Sequence, residues 1–124
     1  MMALEIPATK SSPLVSFNPE AGAFRIEGQS YPENPVLFYE PVLMALDEYL
    51  KGGSGLLKVA FRLSYMNTSS SKCLMGLIGR LEAAFQTGFK ITIYWYYAAD
   101  NEMAREAAEE FSEGLKVPFN IIGE

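Results

Sequence analysis

One stretch near the middle of the chain alternates between apolar and mostly polar residues, and it limits the possible folds more than any other feature. Leu57, Val59, Phe61, Leu63 and Tyr65 alternate with Lys58, Ala60, Arg62 and Ser64. A period of two is typical of a β-strand. The segments on either side have helical spacing, so this strand is expected to lie between two helices, as it does in α/β folds.

The remaining elements follow from the same reading of periodicity and turn residues. Leu14–Phe17 and Ala23–Glu27 flank the turn-forming residues 18–22 and predict an N-terminal β-hairpin, followed by a loop over residues 28–34. Helices are predicted from Pro35 to about Lys51, from the Asn67–Ser71 junction to about Thr87, and from a cap at Asp100 or Asn101 to about Leu115. Two further strands are predicted, over Phe89–Tyr97 and Val117–Ile122.

The resulting order β-β-α-β-α-β-α-β indicates the fold class. Strands that alternate with helices predict an α/β domain with a mixed, largely parallel sheet covered by about three helices. No repeat or linker divides the chain, so one domain is expected over residues 1–124, with residues 1–12 as a loose N-terminal arm.

Three local questions stay open at this level. Pro41 either kinks the first helix or marks its true start. Gly76 and Gly79 weaken the second helix by roughly 1 kcal/mol each relative to alanine, and a close approach of that helix to the sheet is a plausible offset. Tyr94 and Tyr96 belong to the core if helices cover both faces of the sheet, and form an interaction patch if one face is uncovered; the core interpretation is favoured.

Composition excludes several classes of function. The 124 residues include no histidine and one cysteine, Cys73, so zinc sites, Ser-His-Asp triads, Cys-His dyads and internal disulfides are not expected. A net charge of −5 without a basic cluster argues against nucleic acid as a partner. No apolar run is long enough for a membrane span and no signal peptide is apparent, so a cytoplasmic location is expected.

A short serine–lysine motif is the main sequence feature that favours an enzyme. Ser69-Ser70-Ser71-Lys72 matches the S-x-x-K pattern of penicillin-binding enzymes, in which lysine activates serine. The companion S-D-N and K-T-G elements are absent, and serine-rich loops produce this match easily. A small hydrolase that uses Ser69 and Lys72 therefore remains an alternative with little support, and a protein without catalytic residues is expected instead.

Four consecutive hydroxyl residues, Thr68 to Ser71, fill the predicted strand-to-helix junction. One hydroxyl is enough to cap the helix by accepting a hydrogen bond from a free backbone N–H, which leaves the others as soluble loop. A phosphate would add a charge of about −1.5 to −2 and would meet the positive end of the helix dipole. From physics alone, plain capping and a phosphorylation switch are about equally well supported.

Four segments together resemble the SiaC family of bacterial regulatory phosphoproteins. They are residues 61–72 (FRLSYMNTSSSK), residues 17–19 (FNP), residues 28–35 (GQSYPENP) and residues 91–97 (ITIYWYY). The resemblance extends from about Leu4 to Phe119, and it implies a fold akin to the STAS, or anti-sigma-factor antagonist, domains. It also implies that the phosphorylated residue is the threonine of the Asn-Thr-Ser-Ser run, Thr68.

The same resemblance implies a function and a set of partners. A Ser/Thr kinase phosphorylates Thr68, a metal-dependent protein phosphatase reverses this, and the unphosphorylated form activates a diguanylate cyclase and so promotes cyclic di-GMP synthesis, biofilm formation and aggregation. No cofactor is implied. We expect Asn67, Ser69, Ser70 and Lys72 to be neighbours of Thr68 in the partner-binding face, where a phosphate would be costly to desolvate and would repel an acidic partner. A STAS-type antagonist in a sigma-factor partner switch is the alternative.

Overall fold

The structure is a computed structural model that describes residues 3–124. Their elements, in chain order, are β1 (Leu4–Ile6), β2 (Leu14–Asn18), β3 (Ala23–Ser30), α1 (Pro35–Leu50), β4 (Leu56–Met66), α2 (Thr68–Gln86), β5 (Lys90–Tyr97), α3 (Glu102–Ser112) and β6 (Phe119–Gly123). The predicted α/β class, the three helices and the β-hairpin of β2 and β3 are confirmed.

The strands form one mixed sheet whose spatial order is the same as their order in the sequence, β1-β2-β3-β4-β5-β6. The pairs β1–β2 and β2–β3 are antiparallel, while β3–β4, β4–β5 and β5–β6 are parallel. Each parallel pair is joined by one helix. Such crossovers are right-handed, and each one moves to the next strand in the same direction across the sheet. The three helices therefore lie on the same face of the sheet.

The helix-covered face contains the hydrophobic core. Phe24 pairs with Val59, and Val59 pairs with Ile93, so these three side chains form one row across the sheet. Buried side chains from α1, α2 and α3 cover such rows; they include Val42, Leu46, Leu74, Leu77, Leu81 and Ala108. In residues 3–124, no helix is both long and apolar enough to cross a membrane.

Within residues 3–124, the opposite face of the sheet has no helix above it. Tyr94 and Tyr96 are half-buried on this face, and the guanidinium of Arg62 lies 3.8 Å from the centroid of the Tyr96 ring. Arg62 also pairs with Glu27 at 3.3 Å and with Glu124 at 3.2 Å. The expectation that both tyrosines belong to a core between two helix layers is therefore wrong, because consecutive crossovers leave this face uncovered.

The N-terminal region contains more strand than its sequence predicts. Residues 1–12 are not wholly a loose arm, because Leu4–Ile6 form β1 and pair with Val15–Phe17 of β2; Met1 and Met2 lie outside the described residues. The predicted loop over residues 28–34 is also shorter, since β3 continues to Ser30 past a register shift after Gly28.

Two of the open questions about the helices are answered by the structure. Helix α1 begins at Pro35, with the side chain of Asn34 accepting a hydrogen bond from the backbone N–H of Leu37, so Pro41 lies inside the helix and does not mark its start. Gly76 and Gly79 are exposed, and a β-carbon at either position would meet no atom within 4 Å. Close packing on the sheet is therefore not the reason for these two glycines.

Gly22 and Gly53 provide a matched test of the close contact between the hairpin and β4. Both have a positive φ, +64° and +76°, but a β-carbon on Gly22 would overlap the carbonyl of Leu56, whereas one on Gly53 would meet nothing within 4 Å. We expect Gly53→Ala to lower the free energy of unfolding by about 1–2 kcal/mol through backbone strain. Gly22→Ala should cost clearly more, as measured by urea denaturation; equal losses would show that the Leu56 contact is unimportant.

Candidate regulatory site

The hydroxyl run lies where β4 passes into α2, at the edge of the sheet formed by the carboxyl ends of the parallel strands. Asn67 is the single residue between Met66, the last of β4, and Thr68, the first of α2. Its side-chain oxygen accepts a hydrogen bond from the backbone N–H of Ser70 at 2.8 Å, and its carbonyl accepts one from Ser71 at 2.9 Å. Asn67 is therefore the N-cap of α2.

This cap changes the interpretation of the four hydroxyls. The capping hypothesis assigned one hydroxyl to the free backbone N–H groups of the helix, but the amide oxygen of Asn67 fills that role. Within the described residues, the hydroxyl of Thr68 makes no hydrogen bond. The hydroxyls thus remain available for purposes other than capping.

Ser30, the last residue of β3, holds the start of α2 in place. Its carbonyl accepts a hydrogen bond from the backbone N–H of Asn67 at 3.1 Å. Its hydroxyl donates to the hydroxyl of Ser70 at 2.9 Å and lies 2.6 Å from the hydroxyl of Tyr39 in α1. Because Ser30 and Ser70 are fully buried and Tyr39 is 1% exposed, these contacts form a water-free link between β3, α1 and α2. We call Ser30, Tyr39 and Ser70 the hydroxyl clamp.

The direction of the hydrogen bonds in the hydroxyl clamp follows from its chemistry. A serine hydroxyl has one proton, so Ser30, which donates to Ser70, must accept from Tyr39. Burial raises the pKa of Tyr39 to about 12. Tyr39 therefore stays protonated near neutral pH and keeps its role as donor.

The candidate residues around Thr68 divide into an exposed and a buried group. Thr68, Ser69 and Lys72 are exposed in the first turns of α2, and Asn67 is half-buried as the cap. Ser70 is fully buried and hydrogen-bonded inside the hydroxyl clamp, so its side chain is not on the surface where a partner would meet it. Direct contact with a partner therefore fits Thr68, Ser69 and Lys72, whereas Ser70 fits a positioning role.

The geometry gives little support to the chemical alternatives. A lysine that activates serine is normally shielded from water, whereas Lys72 and Ser69 are both exposed. Burial raises the pKa of the Cys73 thiol, which packs against the core, so the thiol form is favoured over the reactive thiolate. Among residues 3–124, no group of three or more acidic, cysteine or histidine side chains is placed to bind a metal.

A crevice of about 340 Å³ lies beside the junction, between the end of β4 and α3. Its lining includes Tyr65 and Met66 of β4 and Met103, Ala104 and Ala107 of α3, and it also reaches the buried ring of Trp95. The sequence does not predict this crevice, because the crevice forms only when α3 packs beside the end of β4. The one sequence signal is Met103, a large apolar residue in a helix of mostly small and acidic residues.

Comparison with known proteins gives a consistent family assignment. A family model described as SiaC family regulatory phosphoprotein matches residues 6–124. An uncharacterized protein of Pseudomonas aeruginosa strain UCBPP-PA14 is 38% identical over 121 residues, which is 98% of this chain and 96% of the relative.

Two solved structures show the same similarity in three dimensions. SiaC of Pseudomonas aeruginosa matches with a TM-score of 0.93 and 35% identity, with complete coverage of both chains. A chain in the crystal structure of the diguanylate cyclase SiaD in complex with its activator SiaC, from the same organism, matches with a TM-score of 0.94 and 37% identity over 98% of this chain and 99% of that one.

Ser70 and Ser69 allow the hydroxyl clamp to be tested with a neighbouring control. Ser70→Ala leaves the buried hydroxyl of Ser30 without its acceptor and should lower the free energy of unfolding by about 1–3 kcal/mol. Ser69→Ala removes an exposed hydroxyl and should change it by less than about 0.5 kcal/mol. Chemical denaturation followed by circular dichroism measures both; equal effects of the two changes would contradict the structural role of the hydroxyl clamp.

Proposed function

The chain belongs to the SiaC family of regulatory phosphoproteins, and we propose that phosphorylation of Thr68 switches its binding to a diguanylate cyclase. The unphosphorylated chain binds and activates the cyclase, which promotes cyclic di-GMP synthesis, biofilm formation and aggregation. A Ser/Thr protein kinase adds the phosphate and a metal-dependent protein phosphatase removes it. The chain acts in the cytoplasm through protein binding and has no catalytic activity of its own.

The observation that carries this proposal is the position of Thr68. Its side chain is exposed and, among the described residues, its hydroxyl has no hydrogen-bond partner, so a kinase can reach it without unfolding the site. The backbone next to it is held by the Asn67 cap and by Ser30. A reachable hydroxyl on a rigid backbone suits an enzyme that must align that hydroxyl with a phosphate donor.

The start of α2 can accept a phosphate without rearrangement. Asn67 accepts hydrogen bonds from the backbone N–H groups of Ser70 and Ser71. Those of Thr68 and Ser69 have no hydrogen-bond partner in residues 3–124. Free N–H groups at a helix start favour an anion, as does the helix dipole. Lys72, one turn further along the helix, adds a positive charge nearby. These features support a switch that changes the surface charge and leaves the fold unchanged.

A phosphate on Thr68 would prevent binding of the cyclase because the phosphate is costly to desolvate. A phosphate carries a charge of about −1.5 to −2 and binds water strongly, so a partner that covers Thr68 must remove that water. The N–H groups and Lys72 would already hold the phosphate in the free protein, so the partner gains little new attraction in return. The unmodified hydroxyl imposes no comparable cost.

The complex between the relative SiaC and the cyclase SiaD supports a cyclase as the partner. A STAS-type antagonist would use the same exposed hydroxyl at the same junction. The two candidate functions differ only in the protein that binds there. The similarity to SiaC over almost the whole of both chains therefore favours the cyclase over an anti-sigma factor.

Binding of a diguanylate cyclase from the same cell tests the switch directly. We expect wild type and Thr68→Ala to bind it and raise its activity, while Thr68→Asp binds at least about tenfold more weakly, a loss of about 1.4 kcal/mol. Ser54→Asp places the same charge in an exposed loop just before β4, at the opposite end of that strand from Thr68, and should bind like wild type. Isothermal titration calorimetry and the rate of cyclic di-GMP formation measure the two effects.

Two results would contradict the proposal. If Thr68→Asp and wild type bind and activate the cyclase equally, the charge at Thr68 does not control the interaction. If Ser54→Asp weakens binding as much as Thr68→Asp, a general charge effect explains the loss and the junction is not the switch.

A further inference from the structure

We propose that a pocket on the face of the sheet opposite the helices, which we call the open face, binds a small aromatic anion. Such a ligand has a flat ring that carries a carboxylate or a phosphate group. The pocket has a volume of about 230 Å³ and lies across β2, β3, β4 and β5. This site is separate from Thr68 and goes beyond the proposed function.

Two alanines on neighbouring strands create the pocket. On the open face, Ala23 of β3 pairs with Lys58 of β4. Ala60 of β4 lies between Arg25 of β3 and Tyr94 of β5. Paired residues project side by side from the same face of a sheet, so each alanine leaves a gap between longer side chains. Because both alanines line the same pocket, the two gaps form one apolar floor with longer side chains around it.

The floor of the pocket fits a flat ring. The side chains of Ala23 and Ala60 are apolar, and the half-buried ring of Tyr94 stands beside them. A ligand ring that covers the alanines removes apolar surface from water and can pack against Tyr94 in an edge-on or offset arrangement. The volume is below the roughly 300–1,000 Å³ of sites for drug-sized ligands, so a ligand of one or two rings fits best.

The charged groups around the floor favour an anion. Among residues 3–124, the side chains that line the pocket include two cations, Arg25 and Lys58, and no acid, although the chain has a net charge of −5. The side-chain oxygen of Asn18 accepts a hydrogen bond from the backbone N–H of Ala21 at 3.2 Å, so its amide N–H groups remain as further donors. Hydrogen bonds from charged donors to a carboxylate or phosphate are stronger than those between neutral groups.

Two acids elsewhere on the open face already have partners. Glu27 forms an ion pair with Arg25 at 3.4 Å, and Glu5 accepts a hydrogen bond from the hydroxyl of Ser16 at 2.9 Å. Lys58, by contrast, has no ion-pair partner within residues 3–124. Its long, flexible side chain can therefore turn toward the anionic group of a ligand whose ring lies on the alanine floor.

The pocket is too far from Thr68 for one small ligand to cover both. Ala60 lies six residues before Met66, the last residue of β4, which corresponds to about 20 Å along a strand. Thr68 lies beyond that end of β4. A ligand of one or two rings therefore leaves Thr68 uncovered, and a change at Thr68 should not alter its binding.

Two naphthalene anions and a neutral counterpart test the pocket. Naphthoate and naphthyl phosphate are titrated separately into the isotope-labelled full chain and followed by NMR. We expect saturable shifts at the pocket residues of β3 and β4, with a dissociation constant of about 1 mM or lower for at least one anion. Naphthalenemethanol has the same ring without the charge and should bind at least about fivefold more weakly. The anion that binds more tightly identifies the recognised group as carboxylate or phosphate.

Lys58 and Lys90 provide a matched control on the open face. Lys58→Gln removes the unpaired cation and should weaken binding of the tighter anion by about fivefold or more. Lys90 pairs with Leu56 and does not line the pocket, so Lys90→Gln should bind within about twofold of wild type. Ala60→Leu fills the floor and should abolish binding, whereas Thr68→Asp should bind like wild type. Circular dichroism checks that each variant is folded.

Four results would overturn the proposal. They are the absence of saturable shifts with both anions, equally tight binding of the neutral compound, equal losses in Lys58→Gln and Lys90→Gln, and shifts centred on the start of α2. If sedimentation shows a dimer that Ala60→Leu abolishes, a second copy of this chain occupies the pocket, and the proposal is also overturned. None of these results bears on the binding of the cyclase, so the proposed function stands or fails separately.

Discussion

The buried hydroxyl of Ser30 is the contact on which the regulatory edge of this fold depends. It accepts from Tyr39 in α1 and donates to Ser70 in α2, while the carbonyl of Ser30 receives the backbone N–H of Asn67. One residue at the end of β3 therefore fixes the positions of two helices relative to the sheet. Because the polar groups are shielded from water and satisfied, the arrangement is rigid, and Thr68 is presented outward from a fixed backbone.

The strand order has a second, wider consequence. Because β3 to β6 are neighbours in the order in which they occur along the chain, every crossover helix lies on one face. Helix α3 packs mainly on β5 and β6, which leaves the crevice near Thr68 open, and the other face of the sheet keeps its tyrosines and charges in contact with solvent. The interaction surfaces of this small domain therefore follow from its topology.

The periodicity of apolar residues predicted the fold well. It failed for features that depend on packing between segments distant in the sequence. The alternation of Leu57 with Lys58 already indicated one solvated face, since a parallel strand covered on both sides is apolar throughout. Tyr94 and Tyr96 made this solvated face difficult to recognise, because tyrosine occurs both in cores and at interfaces. Strand β1 was missed because the three residues before Pro7 carry too little pattern, and it forms only by pairing with β2. The junction at Thr68 was located from sequence, whereas the burial of Ser70 depends on Ser30, forty residues away.

Control of cyclase binding by Thr68 can be measured with the phosphate itself. The full chain, phosphorylated completely at Thr68 by its kinase, is titrated with the cyclase before and after treatment with the phosphatase, and circular dichroism is recorded for both forms. We expect the two spectra to be the same, the phosphorylated form not to bind, and dephosphorylation to restore binding. Unchanged binding by the phosphorylated chain would contradict this expectation, as would a loss of binding accompanied by unfolding of α2.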